Sequence, residues 1–127
     1  MRQLFLLFCF LLSVHLVNAQ LGKVGINTTA PAAMFHVMDS SVLFTGPNTL
    51  PANPGPPPVN GSGTRMMWYP QKGALRAGFV LNNNWSRDSI GKCSFAAGTN
   101  NVVKGENSAS FGLGNNVSGS NSIAGEK

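Results

Sequence analysis

Small, polar and apolar residues recur every 14 positions through the C-terminal third of the chain. The recurring positions, in register, are Ser94, Ser108 and Ser122; Gly91, Gly105 and Gly119; Asn107 and Asn121; and Val103 and Val117. A fixed short period of this kind is typical of a solenoid, in which each repeat forms one coil stacked on the last. Because one such repeat accommodates two short strands and two tight turns, we expect an all-β chain with parallel coils over residues 89–127.

Within the first strand of each predicted coil, bulky and small side chains alternate, and alternate residues of a strand point to opposite faces. One face carries one bulky apolar residue per coil, and the second strand adds a valine. We therefore expect the core of the roll to be formed by Phe95, Phe111, Ile123, Val103 and Val117. The opposite face carries only serine, alanine and glycine, which predicts a subunit interface, with a serine-rich hydrated face as the alternative.

Glycine and asparagine mark the turns of the predicted coils. Gly105 and Gly119 follow the second strand, where a tight turn requires a positive φ, and Gly91 holds the equivalent position before the first coil. Asn107 and Asn121 lie at the next corner, where asparagine tolerates the left-handed region. We expect these five residues to form the turns of the roll.

The segment before the repeats has three parts that differ in composition. Residues 20–46 contain short apolar runs and a turn, which predict isolated strands. Residues 47–63 are rich in proline and glycine, and we expect an extended linker there. Residues 64–88 predict a β-hairpin, because two apolar runs flank the turn at residues 70–73.

Three aromatic residues near the hairpin have two alternative roles. Trp85 precedes the repeats, where we expect it to cover the apolar end of the first coil. The alternative is that Trp68, Tyr69 and Trp85 form an exposed platform on which a sugar ring stacks. That alternative predicts a secreted carbohydrate-binding module.

Residues 1–19 have the pattern of a secretory signal peptide. Arg2 precedes a mostly apolar run from Leu4 to Val17, and Ala19 is a small residue before the expected cleavage point. The run is too short to span a bilayer comfortably, and an uncleaved membrane anchor is the alternative. We expect an exported protein, extracellular or at a bacterial cell surface, whose mature chain has no transmembrane segment.

The charge balance is mildly basic, with 9 Lys and Arg residues against 4 Asp and Glu residues and a net charge of +5. Because the basic residues are scattered along the sequence, we expect no nucleic acid-binding stripe. The excess of positive charge favours attraction to acidic surface polymers. Cys93 is the one cysteine outside the signal segment, so we expect a free thiol, with a bridge between subunits as the alternative.

Residues that support catalysis or metal binding form no recognisable pattern. His36 and Cys93 are too few and too far apart to bind zinc, and the glycine-rich segments lack the Lys-Ser/Thr of a phosphate-binding loop. We therefore expect no catalytic residue, no metal site and no cofactor. A small secreted hydrolase stays open as a third function, although no nucleophile or acid can be named for it.

The repeats resemble a known family. Residues 93–98, 107–112 and 121–126 are similar to the Asn-Ser-Val-Ala-Ile-Gly repeat in the heads of trimeric autotransporter adhesins, the YadA-like family. The resemblance implies a left-handed parallel β-roll in which three chains form one head. Upstream, residues 24–29 look like a segment of bacterial exported proteins that resemble phage tail fibres. The stalk, membrane anchor and chaperone domain of such proteins are missing, so we expect a fragment of a longer protein.

Repetition, export and the lack of catalytic residues together predict the function. We expect a non-enzymatic adhesin-like or fibre-like module, a homotrimer whose repetitive surface binds through avidity rather than through a pocket. Its predicted partners are two further copies of the chain and a surface glycan or protein of a host or of the environment.

Overall fold

The structure, a computed structural model, describes residues 22–125. The expected signal peptide at residues 1–19 and the last two residues of the repeat region lie outside the described part. The described residues contain nine β-strands, two short 3₁₀ helices and no α-helix. They divide into two compact units, one that ends at Leu43 and one that begins at Phe44. The prediction of an all-β chain is confirmed.

The first unit holds two short parallel strands, β1 (Val24–Ile26) and β2 (Phe35–Val37). Shortly after each strand comes a residue with a left-handed backbone, with φ of 58° at Asn27 and 51° at Asp39. The Asn27 side chain donates a hydrogen bond of 3.1 Å to the carbonyl oxygen of Met38. The first unit is therefore one short coil of parallel chain, closed by polar turns.

The second unit is a roll of two sheets. Its strands, in chain order, are β3 (Gly63–Tyr69), β4 (Ala74–Val80), β5 (Phe95–Thr99), β6 (Val102–Val103), β7 (Ala109–Leu113), β8 (Asn116–Val117) and β9 (Ile123–Ala124). The main sheet has the order β3-β4-β5-β7-β9, and β6 pairs with β8 in the second sheet. β3 and β4 form the predicted antiparallel hairpin, and every later pair is parallel.

The parallel coils repeat at the predicted spacing. Phe95 pairs with Ala109, and Ala109 pairs with Ile123, so equivalent residues are 14 positions apart. The step from the hairpin to the first coil is longer, because Leu75 pairs with Phe95, 20 positions further on. The longer connection includes the 3₁₀ helix Arg87–Ser89. The hairpin is therefore the first layer of the roll, and the prediction of a parallel β-roll preceded by a hairpin is confirmed.

The interior of the roll is lined by small side chains of the main sheet. Ala96 and Ser110 are fully buried, and Val103 and Val117 of the second sheet are buried with them. Alanine or serine of the main sheet thus lies on one side of the interior and valine of the second sheet on the other. The small face of β5 and β7 therefore lines the core, and the prediction that this face is a subunit interface is wrong.

The prediction that Phe95, Phe111 and Ile123 form the core is wrong as well. Phe111 and Ile123 are 48% and 80% exposed, and Phe95 is half-buried on the same outer face. The second strand of each coil has only two residues and is joined by tight turns. The interior is consequently too thin to hold an aromatic ring from every coil, so the bulky side chains point outwards.

The prediction that Gly105 and Gly119, with Gly91 at the equivalent position, supply a positive φ is wrong. Gly91 and Gly105 are instead required for close stacking of the coils. None of the three has a positive φ. A Cβ on Gly91 would overlap the carbonyl oxygen of Gly105, and a Cβ on Gly105 would overlap that of Gly119. The corner residues that do adopt the left-handed region follow one another coil by coil: Cys93 (φ 52°), Asn107 (φ 54°) and Asn121 (φ 57°).

The buried side chain of Asn101 stabilises the turn that leads from the main sheet to the second sheet. The Asn101 amide nitrogen donates to the carbonyl oxygens of Ala97 and Gly112, both at 2.9 Å. Its amide oxygen accepts a bond of 2.9 Å from the backbone N–H of Asn115, the equivalent residue one coil later. Stacked asparagines thus satisfy backbone groups that the narrow turn would leave unpaired.

Residues 46–62 contain no strand or helix, as their prolines predict, but they are not a free linker. The Tyr69 hydroxyl donates to the carbonyl oxygen of Gly55, and the Gly55 N–H donates to the side-chain oxygen of Gln71. Pro57 is buried. The segment packs against the hairpin because the buried Tyr69 needs a partner for its hydroxyl and cover for its ring.

Candidate functional site

The outer face of the main sheet carries thirteen side chains and no charge. The pairing register places them in three rows that cross the strands. The rows are Trp68, Leu75, Phe95, Ala109 and Ile123; Met66, Ala77, Ala97 and Phe111; and Thr64, Phe79, Thr99 and Leu113. None of these side chains is fully buried. We refer to this surface as the outer apolar face.

Large side chains dominate the outer apolar face. Met66 on β3 and Leu113 on β7 are 77% and 62% exposed. Phe95 on β5 and Phe111 on β7 form a tilted aromatic pair, with ring centroids 5.4 Å apart and planes at 43°. Soluble monomers rarely expose a contiguous apolar surface that spans a whole sheet, so this face is a candidate interaction surface.

Trp85 covers the upstream end of the roll. It is only 1% exposed, and its indole N–H donates a hydrogen bond of 2.9 Å to the carbonyl oxygen of Asn101. The guanidinium of Arg65 lies over the ring, 5.4 Å from its centroid, in a cation–π contact. These contacts agree with the covering role that its position before the repeats predicts.

The alternative prediction, a sugar-stacking platform formed by Trp68, Tyr69 and Trp85, is wrong. Tyr69 and Trp85 are buried and have no free ring face, and burial raises the pKa of the Tyr69 hydroxyl. Trp68 and Tyr69 are neighbours on β3, so their side chains point to opposite faces of the sheet. Trp68 belongs to the outer apolar face instead.

Arg76 is a fully buried cation that the repeat pattern does not predict. It occupies the inward position that Ala96 and then Ser110 hold in the later coils. Its guanidinium donates to the carbonyl oxygen of Ser94 at 2.9 Å, to the Ser94 hydroxyl at 2.7 Å and to the carbonyl oxygen of Val103 at 3.3 Å. Burial lowers the pKa of Arg76 to about 10, so it stays protonated at neutral pH.

Arg76 therefore joins the hairpin to both strands of the first coil through carbonyl groups. Within the described residues it has no acidic partner. Arg76 aligns with Ala96 only across the step of 20 residues between the hairpin and the first coil. That step breaks the 14-residue period, and so the alignment is not visible in the sequence.

A cleft of about 340 Å³ lies beside the first two coils, where residues 52–54 of the proline-rich segment approach them. We refer to it as the basic cleft. Six of its lining residues are charged: the cations Lys72, Arg87, Lys92 and Lys104, and the carboxylates Asp88 and Glu106. These residues are scattered in the sequence and become neighbours only in the roll, which explains why the sequence predicts no charged patch.

The described residues offer no cluster of metal-binding side chains. No three His, Cys, Asp or Glu side chains within residues 22–125 lie close enough to hold a metal ion. His36 accepts a hydrogen bond of 3.2 Å from the backbone N–H of Ala32, and Cys93 carries an exposed free thiol. Over the same residues, no helix has the length and apolar character needed to cross a membrane.

Comparison with known proteins adds no relative. The chain matches no protein-family model, no curated protein sequence and no solved structure at a significant level. The function is therefore inferred from the roll itself and from the two surfaces described above.

Proposed function

We propose that this chain is part of an exported, non-enzymatic adhesin-like or fibre-like module in which three copies pack together through the outer apolar face. The observation that carries the proposal is the set of thirteen uncharged side chains across the main sheet. Burial of a fully exposed large apolar side chain contributes about 1.5–3 kcal/mol, and burial of a side chain that is already half-buried contributes less. Several such residues per chain supply a strong driving force for association.

The arrangement of the rows favours further copies of this chain as the partner. Each row runs along the direction in which the coils stack, from the hairpin towards β9. When copies are related by rotation about an axis parallel to the roll, equivalent coils stay at the same height, so apolar residues of each coil face those of the same coil in the next copy. Closed symmetry of this kind buries the same set of residues on every copy. Three copies is the number that the resemblance to YadA-like heads implies.

Assembly through the outer apolar face leaves the corners of the coils in water. Corner residues and the basic cleft would then be presented three times around the axis. Binding to a repetitive surface by several weak sites gains affinity through effective concentration, without a deep pocket. This arrangement suits an adhesin-like or fibre-like role better than an enzymatic one.

The proposal is tested by comparing two charge substitutions at exposed apolar positions. Phe111→Asp places a carboxylate in the centre of the outer apolar face, whereas Val59→Asp changes a 52% exposed residue of the proline-rich segment. We expect light scattering to give a trimer for the purified protein and for Val59→Asp, and a monomer for Phe111→Asp. Equal masses for the two variants would contradict the proposed interface.

A further inference from the structure

The basic cleft combines fixed and free cations. Lys72 donates from its ammonium group to the carbonyl oxygen of Arg87 at 2.6 Å and to that of Ile90. An ammonium group has three N–H donors, so one donor of Lys72 stays available to a ligand. The two carbonyl oxygens hold Lys72 in place, and this lowers the entropy that a ligand contact would cost.

Two other lysines of the basic cleft have no partner of their own. The ammonium groups of Lys92 and Lys104 form no hydrogen bond or ion pair with any residue of the part that the structure describes. Arg87 is paired with Asp88 at 3.0 Å, so this pair adds no net charge. With Glu106 as the one remaining carboxylate, the lining carries an excess of two positive charges. An unpaired cation excess in a concave surface concentrates anions there.

We infer that the basic cleft binds an acidic saccharide, with Lys92 and Lys104 on its carboxylate or sulfate groups and Glu106 accepting hydrogen bonds from its hydroxyl groups. The proposal rests on the proposed function and deepens it, because it names the ligand class that an adhesin-like module of this kind would recognise. Anionic groups and hydroxyl groups occur together on uronic acids and on sulfated sugars. The mixed lining of ammonium and carboxylate groups is complementary to both.

The volume and the lining residues of the basic cleft favour a saccharide over other anionic ligands. The cleft of about 340 Å³ exceeds the volume of one small inorganic ion by several-fold, since a water molecule takes about 30 Å³. No aromatic residue lines it, so it offers no platform on which a nucleic acid base could stack.

The inference is tested by calorimetric titration of the purified protein with tetragalacturonate, an acidic oligosaccharide, and with a neutral glucose tetramer. We expect binding of the acidic probe alone, weaker at higher salt because the ion pairs are exposed. Lys92→Gln and Lys104→Gln should each weaken binding about tenfold, the usual cost of a hydrogen bond to a charged group. Lys23→Gln, which removes the same charge outside the cleft, should leave the affinity unchanged.

Three results would overturn the inference. The first is an equal loss of affinity in Lys23→Gln, which would show attraction by net charge alone. The second is equally strong binding of inorganic sulfate, which would show an anion site without saccharide recognition. The third is no binding to either tetramer. Light scattering on the same samples separates this outcome from failure of the proposed function. A trimer that does not bind contradicts only the saccharide site in the basic cleft. A monomer that binds contradicts only the proposed assembly.

Discussion

Phe95 and Phe111 lie one coil apart with their rings in contact, and both rings are outside the roll. Their chain neighbours Ala96 and Ser110 are fully buried inside it. Strands β5 and β7 therefore turn their small side chains to the interior of the roll and their bulky apolar ones to the outside. In water such a surface favours association, which makes the covering of the outer apolar face the central question about this protein.

Replacement of the buried cation should loosen the joint between the hairpin and the first coil. In Arg76→Ala, the carbonyl oxygens of Ser94 and Val103 and the Ser94 hydroxyl each lose the guanidinium donor, and a cavity replaces the side chain. We expect the free energy of unfolding to fall by about 2–4 kcal/mol. Urea denaturation followed by circular dichroism, at equal protein concentration, measures the change.

Arg87→Ala is the matched control, because Arg87 is exposed and its contact with Asp88 is a surface ion pair. Its effect should stay within about 0.5 kcal/mol. If Arg76→Ala is as stable as this control, the assigned role of the buried guanidinium is refuted.

Close stacking of the coils should make one glycine column intolerant of any side chain. A Cβ at Gly105 would overlap the carbonyl oxygen of Gly119, whereas a Cβ at Gly125 meets nothing within 4 Å. We expect Gly105→Ala to lower the free energy of unfolding by about 3 kcal/mol or to prevent folding. Gly125→Ala should be neutral within about 0.5 kcal/mol. Thermal melts of the two variants decide the matter, and similar melting temperatures would show that the coils are not stacked this closely.

The end of the roll should depend on the ring of Trp85 more than on its hydrogen bond. Trp85→Ala uncovers the buried end of the first coil and should cost about 3–5 kcal/mol. Trp85→Phe keeps most of the packing but loses the hydrogen bond to the carbonyl oxygen of Asn101. We expect that loss to lower the free energy of unfolding by about 1 kcal/mol, in addition to the effect of the smaller ring. Chemical denaturation of both variants tests this order, and an alanine variant as stable as the phenylalanine variant would be inconsistent with a covering role.

The repeat predicts the period, the parallel pairing and the left-handed corners, because these follow from local spacing. It does not predict which face of β5 and β7 is the interior. Strict alternation defines two faces equally well, and the choice between them depends on the distance between the sheets. That distance is set by the two-residue strands of the second sheet and by the tight turns that join them to the main sheet. Only the folded backbone shows how little room remains for a ring such as Phe111.

Non-local features are the ones that the sequence does not reveal. Arg76 and Ala96 share one inward row through a step of 20 residues, which does not fit the repeat. The lysines of the basic cleft come from the hairpin turn and from two sides of the first coil, so their charges look dispersed along the chain. The sequence allows Tyr69 to be an exposed aromatic residue. In the structure the proline-rich segment packs over it, and the Tyr69 hydroxyl donates a hydrogen bond to the carbonyl oxygen of Gly55.

Sedimentation equilibrium of the purified protein tests the assembly most directly. The account predicts three times the mass of one chain over a wide range of concentrations, together with a β-type circular dichroism spectrum. A stable monomer with the same spectrum would contradict it, since the outer apolar face would then be exposed to water in the functional protein.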